Sequence, residues 1–409
     1  MASPDPSHRV RASLAYFFLF GGLAALYPYF PLYYLGRGLS YADIGVLFSV
    51  FSLIGIVGAP AWGALADRDG GSPRVLLLAG VVSVAGVALV AVSTSFPTIL
   101  ISNLVLGAGL AGLLPITDAR AIKAAGSQRA GYGPLRAWGS VGWVASSLLT
   151  GLAIEAWGIG VLFVVLGGGL AITALMGIGL APATRVRAER ALRSAGTVFR
   201  TRALLLFLVG MFLAAGAMSA VLNFFPPRYQ ELNAGTGIIG LSSALAAAIE
   251  VPIMFRFPWL VRRFGGARLL LVGAVILATR SGLAALATDP AFLVAASTIG
   301  GVGYALLFVG GVTYVAEHVP PHLAATGQGI FQSVASGLSG VVAAASAGLL
   351  AGAIGIAGMF GVAAAVGLGA VLVIAAAVLP GSRQRERGLA AAEVARASPS
   401  RGNDDVPAG

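Results

Sequence analysis

Cysteine is absent from the 409 residues, histidine occurs three times, and acidic side chains number only 15. Without cysteine there are no disulfides, no thiol catalysis and no thiolate metal site. The histidines, His8, His318 and His322, show neither zinc spacing nor a catalytic triad. No Walker-type loop is present, so this chain alone is not ATP-driven. "GAGLAG" (107–112) fits G-x-G-x-x-G formally, but it lies inside an apolar run with no strand before it, and helix packing explains its glycines. Charge is scarce: 10% of residues are Asp, Glu, Lys or Arg, against about 25% in soluble domains. An enzyme is not expected, and no cofactor or metal is called for.

What the chain has instead is 58% hydrophobic residues, 58 glycines and a mean hydropathy of +0.91. This is the composition of an all-α membrane protein, since a spanning helix needs roughly 20 apolar residues and small residues let such helices approach. Apolar segments fall at 12–35, 43–66, 75–95, 97–119, 133–156, 158–181, 203–227, 237–260, 268–288, 290–316, 325–350 and 355–380, which predicts twelve transmembrane helices. The first is too long for a cleavable signal peptide and lacks a small-residue cleavage site.

Of the 26 Lys and Arg residues, 23 fall on one side of this topology, two (Arg37 and Arg228) on the other, and Arg280 lies inside a span. The positive-inside rule places both termini in the cytoplasm of a multi-pass cell-membrane protein. The net charge of +11 is then topology and attraction to lipid, not nucleic-acid binding. The segments define a cytoplasmic N-terminal tail (1–11), a six-helix half (12–182), a cytoplasmic linker (183–202), a second six-helix half (203–380) and a disordered cytoplasmic tail (381–409). The halves echo each other: "PAWGALADRDGGSPRVLLLAG" (60–80) and "FPWLVRRFGGARLLLVGA" (257–274) place charges, a Gly-Gly pair, an arginine and a Leu-rich helix start in one order, as duplicated pseudo-symmetric halves would.

Gly63, Asp67, Arg68, Gly70 and Arg74 form a loop that resembles the signature between helices two and three of the major facilitator superfamily, where the aspartate latches one conformation; the usual pair of basic residues is reduced to one. A narrower resemblance covers nearly all twelve spans. "YPYFPLYYLGRGLSYADIG" (27–45), "PITDARAIK" (115–123) with "YGPLRAWGSVGW" (132–143), and "EVPIMFRFPWLVRRFGG" (250–266) are similar to the lactose-permease-like, oligosaccharide and phenylpropionate proton-symporter branch. The resemblance implies the major facilitator fold. It also implies that Asp118, Arg136 and Trp143 hold the substrate and that Arg280 takes part in proton coupling. The stretch "GGVGYALLF" (300–308) lacks the tenth-helix histidine and glutamate of the sugar permeases, so a sugar does not follow.

Residue chemistry supplies a parallel reading. Asp118 and Arg136 flank one connection at similar depth, where they could pair. Trp143 follows Arg136 by close to two turns, on the same face. A cation, a carboxylate and a flat ring suit a polar ligand, with Gly139 and Gly142 clearing space for a neighbouring backbone. Glu250 and Arg280 lie equally far either side of Gly265, near mid-bilayer, where ionisable side chains are costly and therefore functional by default. A carboxyl group in a dry cavity is a reversible proton carrier, so Glu250 is the candidate proton site and Arg280 its switchable partner. Tyr27, Asn223, Gln328 and Gln332 are candidate cavity-lining residues.

The function expected is secondary active transport of a small polar organic solute (sugar, nucleoside or aromatic acid) by alternating access and proton symport, with protons and membrane lipid as further partners and a monomer as the unit. The alternatives are a proton-coupled efflux antiporter for drugs or sugars and a non-transporting membrane receptor or scaffold.

Overall fold

The computed structural model describes residues 6–68, 73–124, 132–180, 201–320 and 323–397. Helices run α1 Pro6–Gly36, α2 Tyr41–Arg68, α3 Pro73–Val92, α4 Phe96–Ala124, α5 Tyr132–Trp157, α6 Val161–Ile178, α7 Arg202–Glu231, α8 Thr236–Phe264, α9 Gly266–Leu286 and α10 Pro290–His318. A last helical run covers Ala324–Gln332, a π-helical stretch Ser333–Leu338 and Ser339–Ala397. Its apolar part, Thr326–Leu379, has 54 residues and as one straight helix would reach roughly 80 Å, far beyond a hydrocarbon core of about 30 Å. Gly355, at φ 76° and ψ 164°, breaks it into two. We label residues 324–354 α11 and 356–397 α12. Among the described residues the elements are helices, each from α1 to α10 long and apolar enough to cross a membrane.

Helix continues beyond 381, where a disordered tail is expected from composition. "RQRERGLAAAEVARA" (383–397) is rich in Ala, Arg and Glu, all good helix formers, and extends α12. Gly70 of the expected latch and residues 183–200 of the expected linker lie outside the described residues.

Packing repeats with a shift of six. In the first half α1 packs on α5 and α6, α3 on α4 and α6, and α2 on α4; in the second α7 packs on α11 and α12, α9 on α10 and α12, and α8 on α10. The halves meet along two seams, α5 with α8 and α2 with α11, which the same shift interchanges. The bundle therefore has two pseudo-symmetric six-helix halves. Large apolar side chains around its outside, such as Val57, Val81, Leu149, Val164 and Leu372, are exposed, as suits a surface facing lipid rather than water.

The two ends of the bundle differ. At the far end, the one carrying the α1–α2 and α7–α8 turns, a single core runs from Tyr29, Ile44 and Leu47 through Phe224, Tyr229 and Ile239 to Ala344, Ala347 and Phe360, joining both halves. Hydrogen bonds join the halves there. Thr236 Oγ1 donates to the Gly151 carbonyl (2.8 Å), the Gly237 N–H to Glu155 Oε1 (2.8 Å), Tyr41 to Glu231 (3.2 Å) and Ser49 Oγ to the Val341 carbonyl (2.9 Å). Gly45 lies so close to α11 that a Cβ on it would stand 2.6 Å from the Ala344 carbonyl oxygen. At the other end, which carries the α1 N-terminus and which we call the basic end, each half keeps its own core: Ala12, Tyr16, Ala121 and Leu135 in one, Phe207, Met211, Tyr314 and Phe331 in the other. The halves are joined at the far end and separate at the basic end.

Candidate functional site

Between the halves, below the joined end, lies a cavity of about 320 Å³. That volume is in the range of a site for one small molecule. The first half contributes Phe20, Tyr27 and Pro28 from α1 and Arg136, Ser140 and Trp143 from α5. The second contributes Asn223, Phe225 and Tyr229 from α7, Ser242, Ser243 and Glu250 from α8, Arg280 from α9, and Ser297, Gly300, Gly301 and Tyr304 from α10.

The first wall is aromatic. Tyr27 and Trp143 lie with ring centroids 6.1 Å apart and planes tilted by 31°. Trp143 Nε1 donates to Ser243 Oγ across the seam at 3.0 Å, so this ring ties α5 to α8 at the cavity itself. Arg136 is half-buried, its guanidinium 3.9 Å from the Phe20 ring centroid and 5.5 Å from that of Tyr16, a cation–π arrangement. Gly142 allows this wall to form, because a side chain there would collide with the Phe17 backbone of α1.

The second wall is polar. Arg280 is 5% exposed; its guanidinium lies 5.1 Å from the Phe225 ring centroid and one nitrogen donates to the Met218 carbonyl at 3.4 Å. Glu250 reaches the same space from α8, with Arg136 lining the cavity from the first half. Tyr304 lines the cavity with both.

Neither charge pair suggested by hairpin geometry forms. Among the described residues the salt bridge present is Arg228–Glu231, at the far end (2.8 Å). Asp118 is outside the cavity lining and accepts a hydrogen bond from Tyr16. The reason is topological: α4 and α5 hardly touch, because α1 packs between them and sets Tyr16 and Phe20 beside Arg136. Likewise α10 packs between α8 and α9. Its Gly300 lies against Arg280 and its Gly301 against the Ala246 carbonyl, positions where any side chain would clash. Glu250 and Arg280 face one cavity with α10 between their helices.

Of the other sequence candidates, Tyr27 and Asn223 line the cavity. Gln328 and Gln332 do not: Gln328 donates to the Val312 carbonyl (2.8 Å) and ties α11 to α10, while Gln332 is exposed and accepts from Ser336 (3.3 Å). Gly63, Asp67, Arg68 and Arg74 lie at the basic end of α2 and α3, where the halves are separate. Tyr304, Tyr229, Phe225 and Ser243 line the cavity although sequence reasoning passed over them. The available signal for Tyr304 was an aromatic hydroxyl within the Gly-rich "GGVGYALLF".

The MFS_1 like family matches residues 10–362 of this chain. The chain belongs to that family. Among relatives by sequence, the maltose permease of Geobacillus stearothermophilus is 28% identical over 330 residues, which is 80% of this chain and 83% of the permease. The lactose permease of Citrobacter freundii is 24% identical, covering 63% of this chain and 67% of that protein. Among solved structures, the nucleoside transporter NupG superposes with a TM-score of 0.78 over 90% of this chain and 98% of that one, at 16% identity. A single-residue mutant of NupG reaches a TM-score of 0.81 over 90% of this chain and 99% of its own, at 15% identity. This MFS_1 like protein therefore has the twelve-helix major facilitator fold and is a multi-span membrane protein of a transporter family, not an enzyme.

Proposed function

We propose that this protein is a secondary transporter that takes up a small polar organic solute with protons, the two halves rocking about the central cavity so that it opens to each side in turn. The observation that carries the reading is the cavity's place: it holds Glu250, Arg136, Arg280 and Trp143 together, on the line where halves joined at one end are separate at the other. The maltose and lactose permeases among its relatives, and NupG in fold, support solute transport by the same architecture.

In this proposal the basic end faces the cytoplasm, with both termini, and the structure corresponds to the inward-facing state. Trp143 and Tyr27 stack the body of the solute, and Arg136 with Asn223 orients its polar groups. Glu250 carries the proton. A charged carboxylate facing Arg136 holds the walls differently from a neutral one, so proton binding and the movement of α5 against α8 are linked by the same pair of side chains. Asp118, bonded to Tyr16, fixes the α1 surface on which Arg136 rests rather than touching solute. Gly63, Asp67, Arg68, Gly70 and Arg74 latch the basic end when the halves close there.

Counterflow in proteoliposomes tests this without a proton gradient. Vesicles loaded with one of a panel of sugars, nucleosides and aromatic acids should take up the labelled form of the same compound. Trp143→Ala, shown folded by its unfolding temperature, should lose that exchange. Exchange of no compound by wild-type protein, or undiminished exchange by Trp143→Ala, refutes the reading.

A further inference from the structure

Arg280 is the feature that proton-coupled uptake of a neutral solute leaves unexplained. Only 5% of it is exposed, its Nε has no hydrogen-bond partner, and its single described hydrogen bond is the long one to the Met218 carbonyl. No carboxylate of the described residues lies within ion-pairing distance. A permanent cation in the middle of a membrane protein is costly unless paired, and arginine in particular keeps its charge and presents a planar fork that matches a carboxylate. The side chain is aimed into the cavity, seated on Phe225 and held in place by Gly300, where any larger residue would displace it. The other ionisable groups on the cavity are Arg136, Glu250 and the hydroxyls of Tyr27, Tyr229 and Tyr304. Two guanidinium groups thus face one carboxylate, and neither lies within ion-pairing distance of it.

We infer that the transported solute is a small organic anion whose carboxylate binds Arg280, with its body against Phe225, Trp143 and Tyr27. This rests on the transport reading above and sharpens its solute class. The missing counter-charge of Arg280 is then supplied by the cargo. The charge arithmetic also closes. An anion entering with one proton on Glu250 adds no net charge to the protein, so the loaded and empty forms carry the same charge when they reorient. Uptake is electroneutral, driven by a pH difference and indifferent to membrane potential. A neutral sugar moving with one proton would instead carry a unit charge through the field.

Binding to the purified full-length protein tests the site apart from transport. Benzoate, phenylacetate and hexanoate are titrated against benzamide, phenylacetamide, hexanamide, maltose and uridine, with tryptophan fluorescence and thermal unfolding as readouts. At least one carboxylate should bind, and its amide should bind at least about tenfold more weakly. Arg280→Gln should erase that ratio, and Arg280→Lys, which keeps the charge but not the fork, should keep part of it. A purely structural role for Arg280 would leave the ratio unchanged in Arg280→Gln and overturns the proposal, as does failure of all three carboxylates to bind or binding of the neutral compounds alone. In proteoliposomes, uptake of the binding carboxylate should follow an imposed pH gradient and be unaffected by a valinomycin-set potassium potential. Stimulation by the potential overturns the electroneutral assignment. Intact carboxylate binding without any uptake would refute the transport reading and leave the anion site standing.

Discussion

Arg136 and Arg280 face one cavity from opposite halves, yet their settings are unlike. Arg136 is half-buried on α5 and rests on the Phe20 and Tyr16 rings, with Glu250 across from it. Arg280 is enclosed on α9, over Phe225, with its Nε unsatisfied. The halves share one helix-packing scheme, so the fold does not dictate this difference; the residues placed on it do. A cation on an aromatic shelf keeps part of its hydration and can move with the wall that carries it. One sealed in a protein interior must find its counter-charge in whatever enters the cavity. The first half is thus suited to grip and motion and the second to charge.

Substitutions can break this contrast. The largest effect is expected at Arg280, because truncating one member of a desolvated charge pair costs roughly 2–5 kcal/mol of affinity. Arg280→Gln should therefore weaken binding of a carboxylate solute far more than Arg136→Gln, measured by titration calorimetry. Equal losses would mean that the two cations play the same part. The next effect concerns the joined end. Gly45→Ile places a branched side chain against the Ala344 carbonyl and should cost about 1–3 kcal/mol as overpacking. The far end should then open more often, read as greater modification of a cysteine introduced by Ser49→Cys; the native chain has no cysteine to add background. The smallest effect is at the bridge between the walls. Trp143→Phe keeps a ring but removes the bond to Ser243, and should cost about 1 kcal/mol of solute affinity. Ser243→Ala should cost about the same, and the double substitution little more, since one hydrogen bond is removed in each case.

Much of this architecture is legible in the sequence. The twelve apolar segments map onto helices, because bilayer thickness fixes their length and backbone hydrogen bonding forces them to be helical. Counting residues either way from Gly265 sets Glu250 and Arg280 level with each other, and both line the cavity; the shorter count for Arg136 sets it nearer its connection, yet it lines the same cavity. Lateral neighbours do not follow. Asp118 and Arg136 share a connection, as do Glu250 and Arg280, but α1 and α10 insert between the helices concerned. Depth is a local property of a hairpin, while adjacency is set by helices far away in sequence. For the same reason Gln328, whose spacing from Gln332 suggested a cavity face, turns instead to the Val312 carbonyl. Tyr304 is hard to read from sequence because "GGVGYALLF" differs from the sugar permeases by the histidine and glutamate it lacks, and a lone tyrosine among glycines carries little signal. The first two of the stretch's three glycines, Gly300 and Gly301, seat Arg280 on one side and α8 on the other.

The most direct measurement is a record of external pH in lightly buffered proteoliposomes on addition of a solute that exchanges in counterflow. Alkalinisation outside is expected, as protons enter with the solute, and none with Glu250→Gln even though that variant still exchanges solute. External acidification would indicate antiport, and solute accumulation without any proton movement, or an undiminished signal in Glu250→Gln, would contradict the assignment of Glu250 as the proton site.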